Sequence, residues 1–171
     1  RCKWIWYKQC KKYGSYVFLG EIITDIEIET DERNYEEIQS FSECGNCELC
    51  YKSCPSKAIN PYKKNSNICV SYFTQKKDLE DKHIKLLKGR VFGCDSCQNC
   101  CPYNEGASFS EIQEFYPFDF MNNDNTLQLV NASTKEFKES FFKTSCGWRG
   151  KNVLKRNALI KINNNKGDIS E

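Results

Sequence analysis

Residues 44–55 read CGNCELCYKSCP. Four cysteines at the spacing C-x2-C-x2-C-x3-C, with a proline behind the last, form the run by which ferredoxin-type chains wrap a cubane iron–sulfur cluster. The two-residue gaps let a tight loop turn the thiolates of Cys44, Cys47 and Cys50 toward one centre, while Cys54, ahead of Pro55, reaches a second cluster. A second group of cysteines must then exist. It stands at residues 94–102, CDSCQNCCP, where Pro102 closes the motif as Pro55 closes the first. In the exchange that two-cluster ferredoxins use, Cys101 completes the cluster of Cys44, Cys47 and Cys50, and Cys54 joins Cys94 and Cys97.

One ligand remains to be found, and two cysteines compete for it. Cys100 keeps the two-residue gap after Cys97, whereas Cys69 stands alone between the motifs in NICVSYFTQ. Spacing slightly favours Cys100. Yet Cys100 abuts Cys101, and adjacent thiolates serving different clusters require a sharp backbone reversal, while Cys69 lies on a connection long enough to come back. Cys69 is therefore preferred, with Cys100 still in competition.

Twelve cysteines also fit a disulfide framework, but that signature belongs to short secreted chains, and no apolar signal segment is visible among the many lysines and asparagines. Zinc ribbons use C-x2-C pairs too, without asking for a third cysteine two residues later and a fourth followed by proline. The 171 residues suit one or two small domains, and the formal net charge is +2. The longest apolar stretch, around Tyr16 to Ile23, is far short of the roughly 20 residues that cross a bilayer. Reduced cysteines without an export signal point to the cytoplasm.

Outside the cysteine motifs, YGSYVFLGEIITDIEI is dense in β-branched and aromatic residues and reads as one or two strands, with sheet partners elsewhere. Residues 31–43 form an acidic connection. The stretch DLEDKHIKLLKG, residues 78–89, predicts a short helix on Leu79, Ile84, Leu86 and Leu87, ended by Gly89, with His83 a solvated surface residue. FSEIQEFYPFDFMNN predicts an aromatic lid or short helix. Ser133 and Glu136 fit a capping box, opening a helix of about ten residues with Phe137, Phe141 and Phe142 as its apolar stripe. A second helix, about Gly150 to Ile162, carries Val153, Leu154, Ala158, Leu159 and Ile162; the pair reads as an antiparallel hairpin like one unit of an α-solenoid. Between Lys135 and Lys166 nine lysines and arginines face only Glu136 and Glu139, which suits either a solvated face or a nucleic-acid contact.

The ordered set YGSYVFLGEIITD, CGNCELCYKSCPSKAI, CVSYFTQ, GRVFGCDSCQNCCPYN and GKNVLKRNALI resembles the epoxyqueuosine reductases, cobalamin- and iron–sulfur-dependent enzymes of the last step of queuosine synthesis in tRNA. The resemblance runs from about Tyr13 to the C-terminal helix. It implies an α+β chain: a remnant of an α/β cobalamin-binding domain (1–40), a ferredoxin-like domain with two 4Fe-4S clusters (41–108) and a HEAT-like helical hairpin (109–171). It selects Cys69 for the second cluster, because the family places a cysteine before a Ser-Tyr-x-Thr stretch, here Ser71, Tyr72 and Thr74. The implied ligand sets are Cys44, Cys47, Cys50 and Cys101 for one cluster, and Cys54, Cys69, Cys94 and Cys97 for the other. Ser71, Tyr72, Thr74, Gly93 and Asp95 would lie near cobalamin, and Lys151, Lys155 and Arg156 would hold tRNA. The implied partners are tRNA carrying epoxyqueuosine and an electron donor such as a ferredoxin or flavodoxin, with the chain a monomer.

The family's larger N-terminal domain, with its proton-donating acid, should precede Tyr13, and Lys3-Trp4-Ile5-Trp6 is a poor match to the Gly-rich stretch expected there. The resemblance thus implies a truncated form in which no catalytic acid transfers to a residue present. Cys2, Cys10, Cys100 and Cys146 receive no role. Two other classes share the cysteine pattern: a plain electron-transfer ferredoxin, which needs no basic tail, and a corrinoid reductive dehalogenase, which lacks GKNVLKRNALI.

Overall fold

A computed structural model describes residues 14–17, 20–29, 44–60, 65–121 and 124–167 of the chain. Cys2, Cys10, Lys3 to Trp6, Phe18, Leu19 and the acidic connection 31–43 lie outside the described residues. The helices are α1 (Leu49–Ser53), α2 (Val70–Gln75), α3 (Asp81–Leu87), α4 (Ser96–Asn99), α5 (Thr126–Asn131), α6 (Thr134–Glu139) and α7 (Lys151–Gly167), joined by turns of 3-10 helix. Two compact units divide the chain: Arg1–Ser53 with Cys97–Phe109, and Cys54–Ser96 with Ser110–Glu171.

In the first unit the described residues of the expected strand form no strand. Residues 20–29 form no regular element, and Ile22 and Ile23 are 92% and 99% exposed. The physical reason is the lack of a ladder: among the described residues only Ile59, in the other unit, has even an isolated bridge, and an unpaired strand is not stable in water. Among the described residues the regular elements are helices, and no strand is found to bear on the β part of the α+β expectation. Residues 14–17 instead dock through polar side chains. Asn104 accepts from the Ser15 backbone N–H, and its own amide donates to Ser15 Oγ and to the Gln98 carbonyl, both at 2.7 Å. Gly14, at φ +70°, passes so close to Asn104 that a Cβ would collide with it.

In the second unit, α7 runs along α5 and also meets α2. One core gathers Leu129, Ala132, Phe137, Phe141, Leu154 and Ala158, with Val91 and Phe92 packed against it. A second gathers Val70, Phe73 and Leu87, with Cys94 and Ile160 alongside. The helical tail therefore shares both cores with the segment between the cysteine motifs.

Several expectations change here. The capping box of Ser133 and Glu136 forms as read, the Ser133 N–H meeting Glu136 Oε2 at 2.7 Å and the Glu136 N–H meeting Ser133 Oγ at 3.2 Å. Its helix stops at Glu139, because Ser140 leaves helical geometry at φ −112°, ψ −82°, and a 3-10 turn then buries Phe141 while leaving Phe142 58% exposed. Leu159 also faces outward, and α5, unforeseen in the sequence, is the main partner of α7. The predicted helix at 78–89 holds as α3, with Lys88 and Gly89 both at positive φ behind it. His83 is not solvated: its ring lies 4.2 Å from that of Phe73, and Nδ1 accepts the Glu80 N–H at 3.2 Å, capping the helix start. The aromatic stretch after Ser110 makes two 3-10 turns, Gln113–Phe115 and Asp119–Met121, from which Phe120 packs edge-on against Phe141 at 5.3 Å.

Asp124 ties the start of α5 to α7. Its carboxylate accepts the Thr126 hydroxyl and N–H and lies 3.0 to 3.1 Å from Lys161 Nζ. The Thr126 hydroxyl first, and then Lys161, hold its pKa down to about 2, against an ordinary 3.8. A depressed carboxylate contributes its stability fully above the unfolded value and loses it as pH falls through the folded one. The Asp124→Asn variant is therefore expected to be less stable than the parent near neutrality and to converge with it between about pH 4 and pH 2; acid denaturation of the two chains, followed by circular dichroism, measures this.

Candidate iron–sulfur centres

The first motif sits in the first unit. Gly45, at φ +45°, lets the loop turn so that the Cys47 N–H reaches the Cys44 carbonyl at 2.7 Å, and α1 then carries Cys50. The Cys50 thiol is pushed up from its ordinary pKa, first by burial and then by the charges of Cys100, Cys44 and Cys47 around it. Cysteine sulfurs brought into one loop are the donor type that an iron–sulfur centre takes. Cys100 and Cys101 line an open hollow of about 510 Å³ with Tyr16, Asn99, Pro102, Asn104 and Glu105. The Cys100 thiol, half-buried, points at the Cys97 carbonyl 3.5 Å away.

Cys54 opens the second unit. The chain behind Pro55 curls back, with Lys57 in the left-handed region at φ +54°, and brings the Ala58 N–H to 3.2 Å from the Cys54 sulfur. Burial, the largest single influence, raises the Cys54 pKa, but N–H groups of Ile59, Ala58 and Ser56 and the Ser56 hydroxyl together outweigh it and bring it below the ordinary value. N–H donors around a buried sulfur favour its charged form, and in cluster proteins they tune the potential.

Cys69 and Cys94 belong to the same unit. Cys69 is the half-buried N-cap of α2, and its carbonyl accepts the Phe73 N–H at 3.1 Å. Cys94 follows Gly93, packs on the core of Val70, Phe73 and Leu87, and places its thiol 3.6 Å from Ser96 Oγ. The Ser96 hydroxyl is held in turn by Arg90 Nη2 at 2.8 Å. The boundary of the units falls at the next residue, which puts Cys97 in the first. Among the described residues no three Cys, His, Asp or Glu side chains are gathered for a single metal ion. Sulfurs around a tetrahedral zinc would stand about 3.8 Å apart.

The residues expected near cobalamin divide into two kinds. Tyr72 is 45% exposed, Asp95 is exposed and Ser71 half-buried, while Gly93, at φ +73°, has nothing within 4 Å where a Cβ would stand. Thr74 differs from them, being buried with its hydroxyl committed to the Ser71 carbonyl and the Gly93 N–H.

The basic residues of the tail are similarly divided. Arg156 is a clamp: Nη1 donates to the carbonyls of Lys76, at 2.8 Å, and Lys77, and the rest of its fork holds Asn157 Oδ1. Arg149 caps α2 through the Gln75 carbonyl. Lys151 Nζ reaches the Ala132 carbonyl at 3.4 Å and Thr134 Oγ1 at 3.3 Å. Lys155 is half-buried. The commitment of Arg156 to carbonyls was not legible in the sequence, where a guanidinium in a basic run looks the same whether it faces phosphate or a helix end.

A family model described as a 4Fe-4S double cluster binding domain matches residues 43–104. An epoxyqueuosine reductase of Listeria monocytogenes is 40% identical over 151 residues, covering 87% of this chain and 38% of its own. The structure of epoxyqueuosine reductase from Streptococcus thermophilus superposes with a TM-score of 0.76 at 36% identity, over 90% of this chain and 40% of that one. A crystal structure of epoxyqueuosine reductase with an epoxyqueuosine-modified tRNA-Tyr stem loop gives a TM-score of 0.65 at 37% identity, over 70% of this chain and 32% of that one. This chain spans about two-fifths of the length of the curated relatives it matches.

Proposed function

The chain belongs to the epoxyqueuosine reductase family, and on that premise we propose that it supplies the electron-relay and tRNA-holding part of an enzyme that reduces epoxyqueuosine to queuosine at the wobble position of tRNA. The observation that carries the reading is the pair of cysteine motifs within residues 43–104, with one thiol, Cys54, already held toward its thiolate form by backbone donors.

In this proposal Cys44, Cys47, Cys50 and Cys101 hold one 4Fe-4S cluster, and Cys54, Cys69, Cys94 and Cys97 the other, in a ferredoxin-like arrangement of the segment 41–108. The clusters, when bound, supply one-electron transfer, and cobalamin supplies the low-valent cobalt chemistry that the deoxygenation needs. The chain's own part is positional. Cys44 and Cys47 are exposed in their loop, which suits the approach of an electron donor such as a ferredoxin or flavodoxin. Ser71, Tyr72, Gly93 and Asp95 border the corrin, with the open face of Gly93 admitting it. The residues 109–171, read as a HEAT-like region, present lysines to the tRNA backbone; Lys155 is better placed for this than Arg156, whose donors are spent on backbone carbonyls and the Asn157 amide oxygen, while the Lys151 ammonium also meets the Ala132 carbonyl. Residues 1–40 belong to the cobalamin-binding domain, and the enzyme works as a cytoplasmic monomer. Among the described residues no helix is long and apolar enough to cross a membrane.

Anaerobically reconstituted chain is expected to hold about eight irons and to bind an anticodon stem loop carrying epoxyqueuosine with an affinity that falls steeply as salt is raised, since lysine–phosphate contacts release counterions. Cobalamin added to the same preparation is expected to bind saturably, read from the corrin absorption spectrum. Iron for two clusters without corrin or tRNA binding would leave a plain ferredoxin as the better reading.

A further inference from the structure

Nothing in the sequence singles out Asn157, a polar residue in the apolar run of α7, yet it is fully buried at the point where the tail meets the cysteine-bearing segment. Its Nδ2 donates to the Thr74 carbonyl at 2.7 Å and to the Val91 carbonyl at 2.8 Å, while Oδ1 accepts from Arg156 Nε at 3.1 Å and Nη2 at 2.9 Å. Thr74, also without exposed surface, donates its hydroxyl to the Ser71 carbonyl at 2.7 Å and accepts the Gly93 N–H at 3.1 Å.

These bonds join two particular pieces of chain. Thr74 lies on α2, whose N-cap is Cys69, and Val91 and Gly93 lie on the turn that delivers Cys94. Asn157 bridges the helix to the turn through two carbonyls, and Thr74 bridges them again through a hydroxyl and an N–H. Neither side chain is bonded to a cysteine. We infer that Thr74 and Asn157 are positioning residues for the second cluster, fixing the separation of Cys69 and Cys94 from the side of the C-terminal helix. The inference rests on the assignment of those two cysteines to one cluster. It deepens that reading by making the tail part of the cluster scaffold as well as a tRNA-holding element.

A buried bridge of this kind acts on a metal site by holding its ligands in place before the metal arrives, and loss of such outer partners costs about 10- to 100-fold in metal affinity. The test compares Thr74→Val, which keeps the shape and removes the hydroxyl, with Thr74→Ser, which restores it, in the full reconstituted chain. Iron release to a chelator and the midpoint potentials are followed for both clusters under anaerobic conditions; Cys69→Ala identifies the second-cluster signals by removing them. Thr74→Val is expected to speed release from the second cluster about tenfold or more and to shift its potential, leaving the first cluster as it was, and Thr74→Ser to behave as the parent. Asn157→Leu should move the same signals the same way, and if it fails to fold the Thr74 pair decides alone. A Thr74→Val chain that melts earlier with both release rates and both potentials unchanged overturns the inference, as does equal loosening of both clusters. Failure of the ligand assignment is seen separately, as a Cys69→Ala chain that keeps all its iron.

Discussion

Cys69→Ala is expected to retain about half the iron of the parent chain, and Cys100→Ala all of it. The two thiols compete on spacing, and they stand in different local settings. Cys69 ends an extended residue at φ −68°, ψ 136° that begins α2, in the unit that also holds Cys54 and Cys94. Cys100 shares a unit with Cys97, and its thiol is turned to the Cys97 carbonyl at 3.5 Å on the wall of an open hollow. It is also one of the neighbours that push the Cys50 pKa up, after burial. Iron and sulfide per chain after anaerobic reconstitution, with electron paramagnetic resonance to tell the clusters apart, measure the outcome. Equal losses from the two variants would sink the assignment of Cys69. Loss of only the first-cluster signal in Cys100→Ala would move the fourth ligand of that cluster from Cys101 to Cys100.

The legible parts of the chain were those where function or capping dictates residue type locally. Cysteine spacing with a trailing proline announces a cluster loop whatever surrounds it, and Ser133 with Glu136 announces a helix start, because both are written within a few residues. What needed the third dimension was misread. The apolar alternation of Ile22, Ile26 and Ile28 has the pattern of a strand, but pattern supplies no partner, and all three side chains are exposed. His83 sits among lysines and looked solvated; burial against Phe73 comes from a helix more than five residues away, across a turn that no periodicity reports. Asn157 was hidden for the opposite reason. A single asparagine among Leu154, Ala158 and Leu159 looks like a defect in an apolar stripe, and only the two carbonyls it meets explain it. Leu159 was counted on that stripe and faces solvent, because the polar bridge takes the inward position beside Ala158.

Leu154→Ala is expected to destabilise the chain by about 3 kcal/mol, within the range of 2 to 5 for a large aliphatic residue emptied from a core. Leu154 has no exposed surface and packs among Leu129, Phe137, Phe141 and Ala158, with Val91 and Phe92 closing the same core. That loss is a large share of the roughly 5 to 15 kcal/mol that holds a domain folded. Val91 and Phe92 lie on the turn carrying Cys94, so the cavity opens beneath the cluster segment as well as beneath the tail. The denaturant midpoint of the variant should fall, and the second cluster should bleach in the same transition as the helical signal rather than after it. Leu159→Ala is the control on the other face of the same helix. At 48% exposure it is expected to cost no more than about 0.5 kcal/mol and to leave both clusters in place. Equal costs at 154 and 159 would mean that α7 presents a different face to the core, and with it that Asn157 does not stand between Thr74 and Val91.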